Sequence, residues 1–505
     1  MILLTTANAR YSHTSLGLRY LYANMRELQN RTVLIEYTLQ DTPRHMVEQW
    51  LSYQPQIIGI GIYIWNIEVL TQAISLLKKT HPEIYVVVGG PEVSYGVPDE
   101  LYELVNHIIP AEGDHAFQRL CQDILQHNAP KTKVLPKDQI DVKELILPYE
   151  FYTDTDIVNR KIYVEASRGC AFKCHFCLSS LDKGIRSFDT SQFLLEMRKL
   201  YQRGARQFKF VDRTFNLHIK QSIAILSFFL EEFPAQDFFL HFEVIPDRLP
   251  PELKEYILKF REGVLQFEVG IQTLDQQVSA LIGRQQNKIK ALDNLMFLRQ
   301  NTHIHLHVDL IIGLPGATLD IFKDDLNQLV ALGLQEIQIG ILKHLKGTPI
   351  TLHTDTHQMI YDSNPPYEIE SNVDLPVELM LRLKRFAKYW DHYYNSGNFI
   401  QSMALLFQSS NPFDEFVQFS EYAYACLQQT YGISLEHYAE ILYDYLVSEQ
   451  HLDRVQVRET ILKDILIKPG RKVPGFLKDD SLGIPHVISR KSNKFLTRQS
   501  NHSPL

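Results

Sequence analysis

"EASRGCAFKCHFCLSS", residues 165–180, holds three of the five cysteines of a 505-residue chain. They are spaced Cys170-x3-Cys174-x2-Cys177 and directly follow "IYVEAS" (162–167), which reads as a strand. Three thiols on one tight loop can converge on a single inorganic centre, and soft sulfur donors favour zinc or an iron–sulfur cluster. Structural zinc wants four protein ligands. His175 is a fourth donor by type, but between Cys174 and Cys177 a short loop has little room to turn it inward. A cube of iron and sulfide held by three cysteines leaves one iron open to another ligand. Cys121 and Cys426 stand far from the triplet and from each other, so there is no disulfide framework and a reducing cytoplasm is the expected compartment.

Working outward, six strand-like runs recur with helical stretches between them: 162–167, 207–212, 238–244, 264–270, 303–313 and 335–342. Strand then helix, six times over, predicts a partial TIM-like (β/α)6 barrel across 159–350. The first 126 residues show the same alternation in "MILLTT", "TVLIEYTL", "IIGIGIYI", "IYVVVGG" and "HIIPAEG", which predicts a doubly wound, flavodoxin-like α/β domain. Its strand-to-helix loops, "ANARYSHTS", "YIWNIE" and "GGPEVSYG", fall at the carboxyl edge, where open α/β sheets bind ligands. Residues 127–158, with prolines at 130, 136 and 148, read as a linker. Residues 360–485 read as a mainly helical domain whose aromatics, such as Tyr389, Trp390, Tyr393 and Tyr394, repeat at core spacing. The polar, basic stretch 486–505 reads as a mobile tail.

Composition narrows the function classes. A formal charge of −8 argues against a generally nucleic-acid-binding or membrane-surface protein. The longest apolar run, "PQIIGIGIYIW", is too short to span a bilayer, and "MILLTTANARYSH" lacks the layout of a signal peptide.

The triplet, with Phe176 just before its last cysteine, resembles the radical S-adenosylmethionine (SAM) superfamily. The resemblance implies a 4Fe-4S cluster whose fourth iron is chelated by SAM, and reductive cleavage of SAM to a 5′-deoxyadenosyl radical. Later segments carry it on to about residue 350. "FKFVDRTFN" is similar to the second-strand segment that meets the methionine amino group, with Asp212-Arg213 where glycines are common. "FEVGIQTLD" resembles the fourth-strand motif, implying that Glu268 or Gln272 meets the ribose. "LIGRQQN" puts Arg284 at the cofactor carboxylate. "DLIIGLPGAT" puts Gly313 and Leu314 against adenine, and Phe176 completes the implied SAM contacts.

The N-terminal region resembles the cobalamin-binding domain of one large class of these enzymes. That resemblance implies cobalamin contacts from Ser12, His13, Thr14, Trp65, Asn66, Gly89, Gly90, Pro91, Glu92 and Glu112. The Asp-x-His-x-x-Gly motif that supplies a cobalt ligand elsewhere is missing: Ser12-His13 is followed by Gly17. Methylthiotransferases also place a flavodoxin-like domain before the barrel, but they hold a second cluster on three N-terminal cysteines, and before residue 170 this chain has only Cys121.

The activity implied is methylation of an unactivated carbon or phosphorus, supported by a flavodoxin- or ferredoxin-type reductant and acting on a small molecule or peptide. The alternatives are a cobalamin-dependent rearrangement, cyclisation or oxidation, and a non-catalytic corrinoid or cluster sensor.

Overall fold

The computed structural model describes residues 1–478, apart from 139 and 183, together with 497–502. The chain divides into two compact units. One comprises 1–213, 344–349 and 362–367; the other comprises 214–343, 350–361 and 368–505.

The first unit opens with β1 (Ile2–Asn8), α1 (Leu16–Ala23), β2 (Thr32–Thr38), α2 (Pro43–Ser52), β3 (Ile57–Gly61), α3 (Ile67–Thr80), β4 (Tyr85–Gly89), α4 (Asp99–Leu104), β5 (His107–Ile109) and α5 (Asp114–Leu125). The strands are all parallel in the order β2-β1-β3-β4-β5. All seven residues of β1 are buried, as a central strand covered on both faces requires. One face packs Trp50, Ile58 and Ile74; the other packs Leu4, Leu18 and Phe117. Helix starts are written locally: Ser15 accepts the Leu18 N–H, and Thr42 caps α2 with Pro43 in its first turn. Strand order reverses between β1 and β3, so the loops leaving them diverge and open a crevice at the carboxyl edge.

The segment after α5 packs closely. Ile140, Val142 and Leu145 form a cluster with Tyr20 and Phe188. A capping box between Thr153 and Asp156 starts α6 (Asp154–Asn159). Then come β6 (Ile162–Val164), an antiparallel pair β7 (Ser167–Arg168) and β8 (Arg186–Ser187), α7 (Thr190–Gln202) and β9 (Gln207–Phe210), which pairs in parallel with β6.

The second unit continues the alternation with α8 (Ile219–Glu232), β10 (Phe239–Val244), α9 (Pro251–Ile257), β11 (Leu265–Gln272), α10 (Gln276–Leu281), α11 (Lys288–Asn301), β12 (His305–Ile312), α12 (Leu319–Ala331) and β13 (Glu336–Ile341). Neighbouring strands from β10 to β13 are parallel. All six strands expected between 162 and 342 are therefore present, two in the first unit and four in the second. A short antiparallel ladder, β14 (Ile360–Tyr361) with β15 (Ile369–Ser371), precedes the helices α13 (Val377–Trp390), α14 (Ile400–Leu406), α15 (Pro412–Leu427), α16 (Leu435–Ser448) and α17 (Arg454–Leu466). Tyr389, Trp390 and Tyr393 are fully buried, as their spacing suggests. Asn395, in the π-helical turn after α13, clasps β13: it accepts the Ile337 N–H (2.8 Å) and donates to the Ile337 carbonyl (3.0 Å).

One expectation changes. Within the stretch read as a mobile tail, residues 497–502 form a helix, α18. Arg498 lies 2.8 Å from Glu336 and 2.5 Å from Asp391, two acids whose charge the basic tail answers. Residues 486–496 and 503–505 lie outside the described residues. Among the described residues no helix is long and apolar enough to cross a membrane.

A buried ion network ties α1 and β2 to α6. Arg19 meets Glu36 (3.0 Å) and Asp156 (2.8 Å), and Arg160 meets the same two acids at 2.7 and 3.0 Å. Arg19→Ala leaves two buried carboxylates short of a counter-charge. Its expected cost is about 3–5 kcal/mol, read as a lowered urea midpoint.

Candidate functional site

At the crevice lies a cavity of 460 Å³, lined by the ends of β3, β4 and β5, the start of α1 and the loops around the cysteines. Bare backbone forms one wall. Gly90 has φ +107°, and a Cβ there would stand 2.5 Å from the Ile62 carbonyl oxygen. At Gly59 it would stand 2.5 Å from the Phe117 ring. Glycine at these points lets the Ile62 main chain and the Phe117 ring pack directly against the strand ends that line the cavity. Gly89, Gly90, Pro91 and Glu112, singled out from sequence, all line the cavity.

The opposite wall carries charges. Arg168, two residues before Cys170, meets Glu165 (2.9 Å), Asp114 (3.0 Å) and Glu112 (3.2 Å), with its guanidinium 4.5 Å over the Tyr20 ring. Arg186 meets Glu112 at 2.7 Å. Burial pushes the Glu165 carboxyl up, and Arg168 opposes that shift. Sequence reasoning missed Tyr63, Asp114, Arg168 and Arg186 as lining residues. The available signal was an arginine abutting the cysteine loop and a second acid two residues after Glu112.

The remaining cobalamin candidates sit elsewhere. Ser12 and Thr14 bond the main chain of Lys161, and His13 Nδ1 lies 2.5 Å from the Tyr163 hydroxyl. Burial, helped by nearby Lys161, lowers the His13 imidazole to about 4. Trp65 stacks on Tyr63 and donates to the Ala7 carbonyl. Asn66 is buried among Thr6, Ala7 and Gly61. Glu92 binds the Tyr367 hydroxyl (2.6 Å) and Lys346 (3.1 Å). None of these six lines the cavity.

The cysteine loop leaves β7 through Gly169, at φ +90°, where a side chain would collide with the Gly184 carbonyl. Cys170 and Cys174 are buried and Cys177 is half-buried, and none of the three is in a disulfide. The Phe172 N–H donates to Cys170 Sγ (3.4 Å), and Cys177 N–H donates to the Cys174 carbonyl (3.2 Å). Burial pushes the Cys170 thiol up, and Cys177 and Cys174 push it further. Three mutually repelling sulfurs become stable thiolates around a cationic centre, so the donor set fits an iron–sulfur cluster. Among the described residues no three His, Cys, Asp or Glu side chains are gathered to hold a single metal ion. His175 and Phe176 are half-buried on the same loop.

Asp212 supports that loop from below. Its Oδ2 accepts the Ala166 N–H (2.9 Å) and its Oδ1 accepts from the Ser167 hydroxyl (2.6 Å). Desolvation raises its carboxyl to about 7.

The other SAM candidates belong to the second unit. Glu268 Oε2 lies 2.9 Å from His241 Nε2. Gln272 sits at a bulge with φ +69°, its Oε1 buried and without a hydrogen-bond partner among the described residues. Arg284 donates to the Gly270 carbonyl, two residues before Gln272 in β11. Gly313, at φ +92°, offers its carbonyl to Asn372, and Leu314 is buried.

Residues 2–121 match the B12 binding domain and residues 164–329 match the Radical SAM superfamily. The chain therefore pairs a B12-binding domain with a radical SAM domain. Residues 355–502 match a family described as a protein of unknown function, DUF4080. A cobalamin-dependent radical SAM methyltransferase, TokK of Streptomyces tokunonensis, is 24% identical over 447 residues, covering 78% of this chain and 61% of TokK. A tRNA-2-methylthio-N(6)-dimethylallyladenosine synthase of Psychrobacter sp. (strain PRwf-1) is 22% identical, covering 54% of this chain and 58% of that one. The chain thus spans about six-tenths of the length of these relatives. The solved structure of the cobalamin-dependent SAM radical enzyme OxsB shares the fold, with TM-score 0.64 and 14% identity over 91% of this chain and 78% of OxsB. The cofactors that belong to these domains are cobalamin, a 4Fe-4S cluster and SAM.

Asp212 gives this chain a pH signature. A carboxyl near 7 in the folded chain and near 3.9 unfolded holds its proton longer when folded, so its stabilising contribution fades as pH rises from about 4 to 7. Asp212→Asn accepts the Ala166 N–H through its amide oxygen, donates from its amide nitrogen to the Ser167 hydroxyl oxygen, and cannot titrate. Its denaturation midpoint is expected to fall less than the wild type's between pH 5 and 7, with equal slopes above pH 8.

Proposed function

We propose that the chain cleaves SAM reductively at a 4Fe-4S cluster held by Cys170, Cys174 and Cys177 and methylates an unactivated carbon or phosphorus with cobalamin in the glycine-walled cavity. The observation that carries this reading is a shared wall. Within the first unit, Glu165, Ser167, Arg168 and Gly169, the residues leading into the cysteines, also line the cavity. TokK, named a methyltransferase, supports methyl transfer over the other outcomes. When bound, the cluster with SAM supplies a carbon-centred radical and cobalamin supplies the methyl group.

The chain's own part is positioning. Gly59 and Gly90 let the Phe117 ring and the Ile62 main chain close against the strand ends that shape the cavity wall. Arg168 and Arg186 line it and hold Glu112 and Asp114 in place. Asp212 fixes Ala166 and Ser167, and through them the angle at which the cysteine loop departs. Gln272 keeps an acceptor oxygen shielded from water, ready for a hydroxyl or amine donor. A flavodoxin- or ferredoxin-type protein is the proposed reductant.

The test is anaerobic reconstitution with iron, sulfide and hydroxocobalamin, followed by turnover with SAM carrying a deuterated methyl group. The expected result is about four irons and one cobalt per chain, 5′-deoxyadenosine release, and deuterated methyl on the product. Cys174→Ala is expected to lose iron and keep cobalt. Gly90→Val is expected to keep iron and weaken cobalamin retention by at least about tenfold. Cobalt with iron but no labelled methyl on any product would move the reading to rearrangement or oxidation.

A further inference from the structure

Two unfavourable features meet in one residue at the end of β11. Gln272 is a non-glycine at φ +69°, and the Thr273 N–H closes back on the Ile271 carbonyl at 2.9 Å. That is a γ-turn of the rare, strained hand. The Gln272 Oε1 is also shielded from water, with no hydrogen-bond partner among the described residues. Strain of this kind persists only where the surroundings over-determine it, and it collects at ligand sites. A shielded acceptor without a partner is satisfied by a donor that a ligand brings.

The turn is held from both sides. Before it, Arg284 donates to the Gly270 carbonyl, and the Gln272 amide folds over Gly270, where a Cβ would stand 2.6 Å from Nε2. After it, Asp325 of α12 reaches the next two residues. Its carboxylate accepts from the Thr273 hydroxyl at 2.7 Å and from the Leu274 N–H. The Thr273 oxygen accepts in turn from the Asp275 N–H (3.1 Å), and Asp275 caps α10. One side chain thus fixes the exit from the turn and the start of the next helix. On α12, Asp325 shares the buried face with Phe322, Leu326 and Leu329, where an apolar residue avoids any desolvation cost. It is 3% exposed, and burial raises its carboxyl to about 6. The acid stands there for the two donors that it holds.

We propose that Asp325 is a positioning residue for SAM: through Thr273 and Leu274 it holds the strained turn that presents the Gln272 amide oxygen to a hydroxyl or amine of the cofactor. The inference rests on the radical SAM reading above. It adds a residue that acts on the cofactor through the turn alone, from a helix 52 positions further along the chain.

The test uses anaerobically reconstituted holoenzyme, with SAM affinity read by calorimetry and SAM cleavage driven by dithionite. Thr273→Val and Asp325→Ala are each expected to weaken SAM by about tenfold, with the maximal rate of 5′-deoxyadenosine release within about twofold of the wild type's. Iron and cobalt contents stay at wild-type levels. Asp325→Asn keeps an acceptor for the Leu274 N–H and an amide for the Thr273 oxygen, and is expected to bind SAM within about threefold of the wild type. Hydrogen exchange across 271–275, followed before SAM is added, is expected to quicken by about tenfold in Asp325→Ala. Placed on Gln272→Ala, Asp325→Ala is expected to weaken SAM by less than about twofold more, since the residue it positions is already gone. The proposal is overturned if Thr273→Val and Asp325→Ala both bind SAM as the wild type does, or if the effects of Asp325→Ala and Gln272→Ala multiply. Loss of iron from both single variants makes the clamp a folding element and also overturns it. Where Asp325→Ala alone loses iron, wild-type SAM affinity in Thr273→Val overturns it. Each of these results, in a wild type that holds iron and releases deoxyadenosine, overturns this proposal alone. A wild type lacking both overturns the functional reading, and this one with it.

Discussion

The contact on which the first unit depends is the guanidinium of Arg168 against Glu112, Asp114 and Glu165. A buried cation must be met by counter-charges in fixed positions, and here those positions come from two parts of the chain more than fifty residues apart. Glu112 and Asp114 follow the last strand of the five-stranded sheet, Asp114 opening α5; Arg168 ends β7, just before the cysteine loop. Charge balance therefore sets where Cys170 stands relative to the glycine wall. Aromatic packing on Tyr20 and Phe188 holds the guanidinium in that plane.

A second network repeats the device on the other flank of the same layer. Arg19, Arg160, Glu36 and Asp156 satisfy one another with little exposure, and Tyr152 lies under Arg19. Apolar contacts tolerate sliding, whereas bidentate charge contacts have few acceptable geometries. Two such fasteners, one near each end of the crevice, orient the α/β layer on the segment that carries the cysteines. Asp212 performs the smaller version of the task, within a few residues of the loop itself.

Much of this was legible in the sequence, and the reasons differ by element. β1, β3 and β4 are short apolar runs closed by turn signals, so period and length alone located them. Cys170, Cys174 and Cys177 declared themselves by spacing, and Gly89-Gly90 by following a strand. His13 and Trp65 were less readable. Both lie on loops at the carboxyl edge, but whether a loop side chain turns into the crevice is decided by partners distant in sequence: Tyr163 for His13 and Ala7 for Trp65. Arg168 was hidden for the same reason, since an arginine's role depends on which acids the fold delivers to it. The basic stretch containing Arg498 read as a tail because local composition carries no trace of Glu336, over 150 residues earlier.

Asn395 carries a consequence of a different kind. A strand with one neighbour exposes donors and acceptors that any other strand can match. By taking both the N–H and the carbonyl of Ile337, Asn395 impersonates that missing neighbour, and Trp390 Nε1 claims the same carbonyl again at 2.9 Å. The helices after residue 376 thus act as a guard on β13 against self-association. A chain shortened before α13 would expose a sticky edge rather than yield a smaller enzyme, which gives this segment a reason to be kept that is independent of any chemistry.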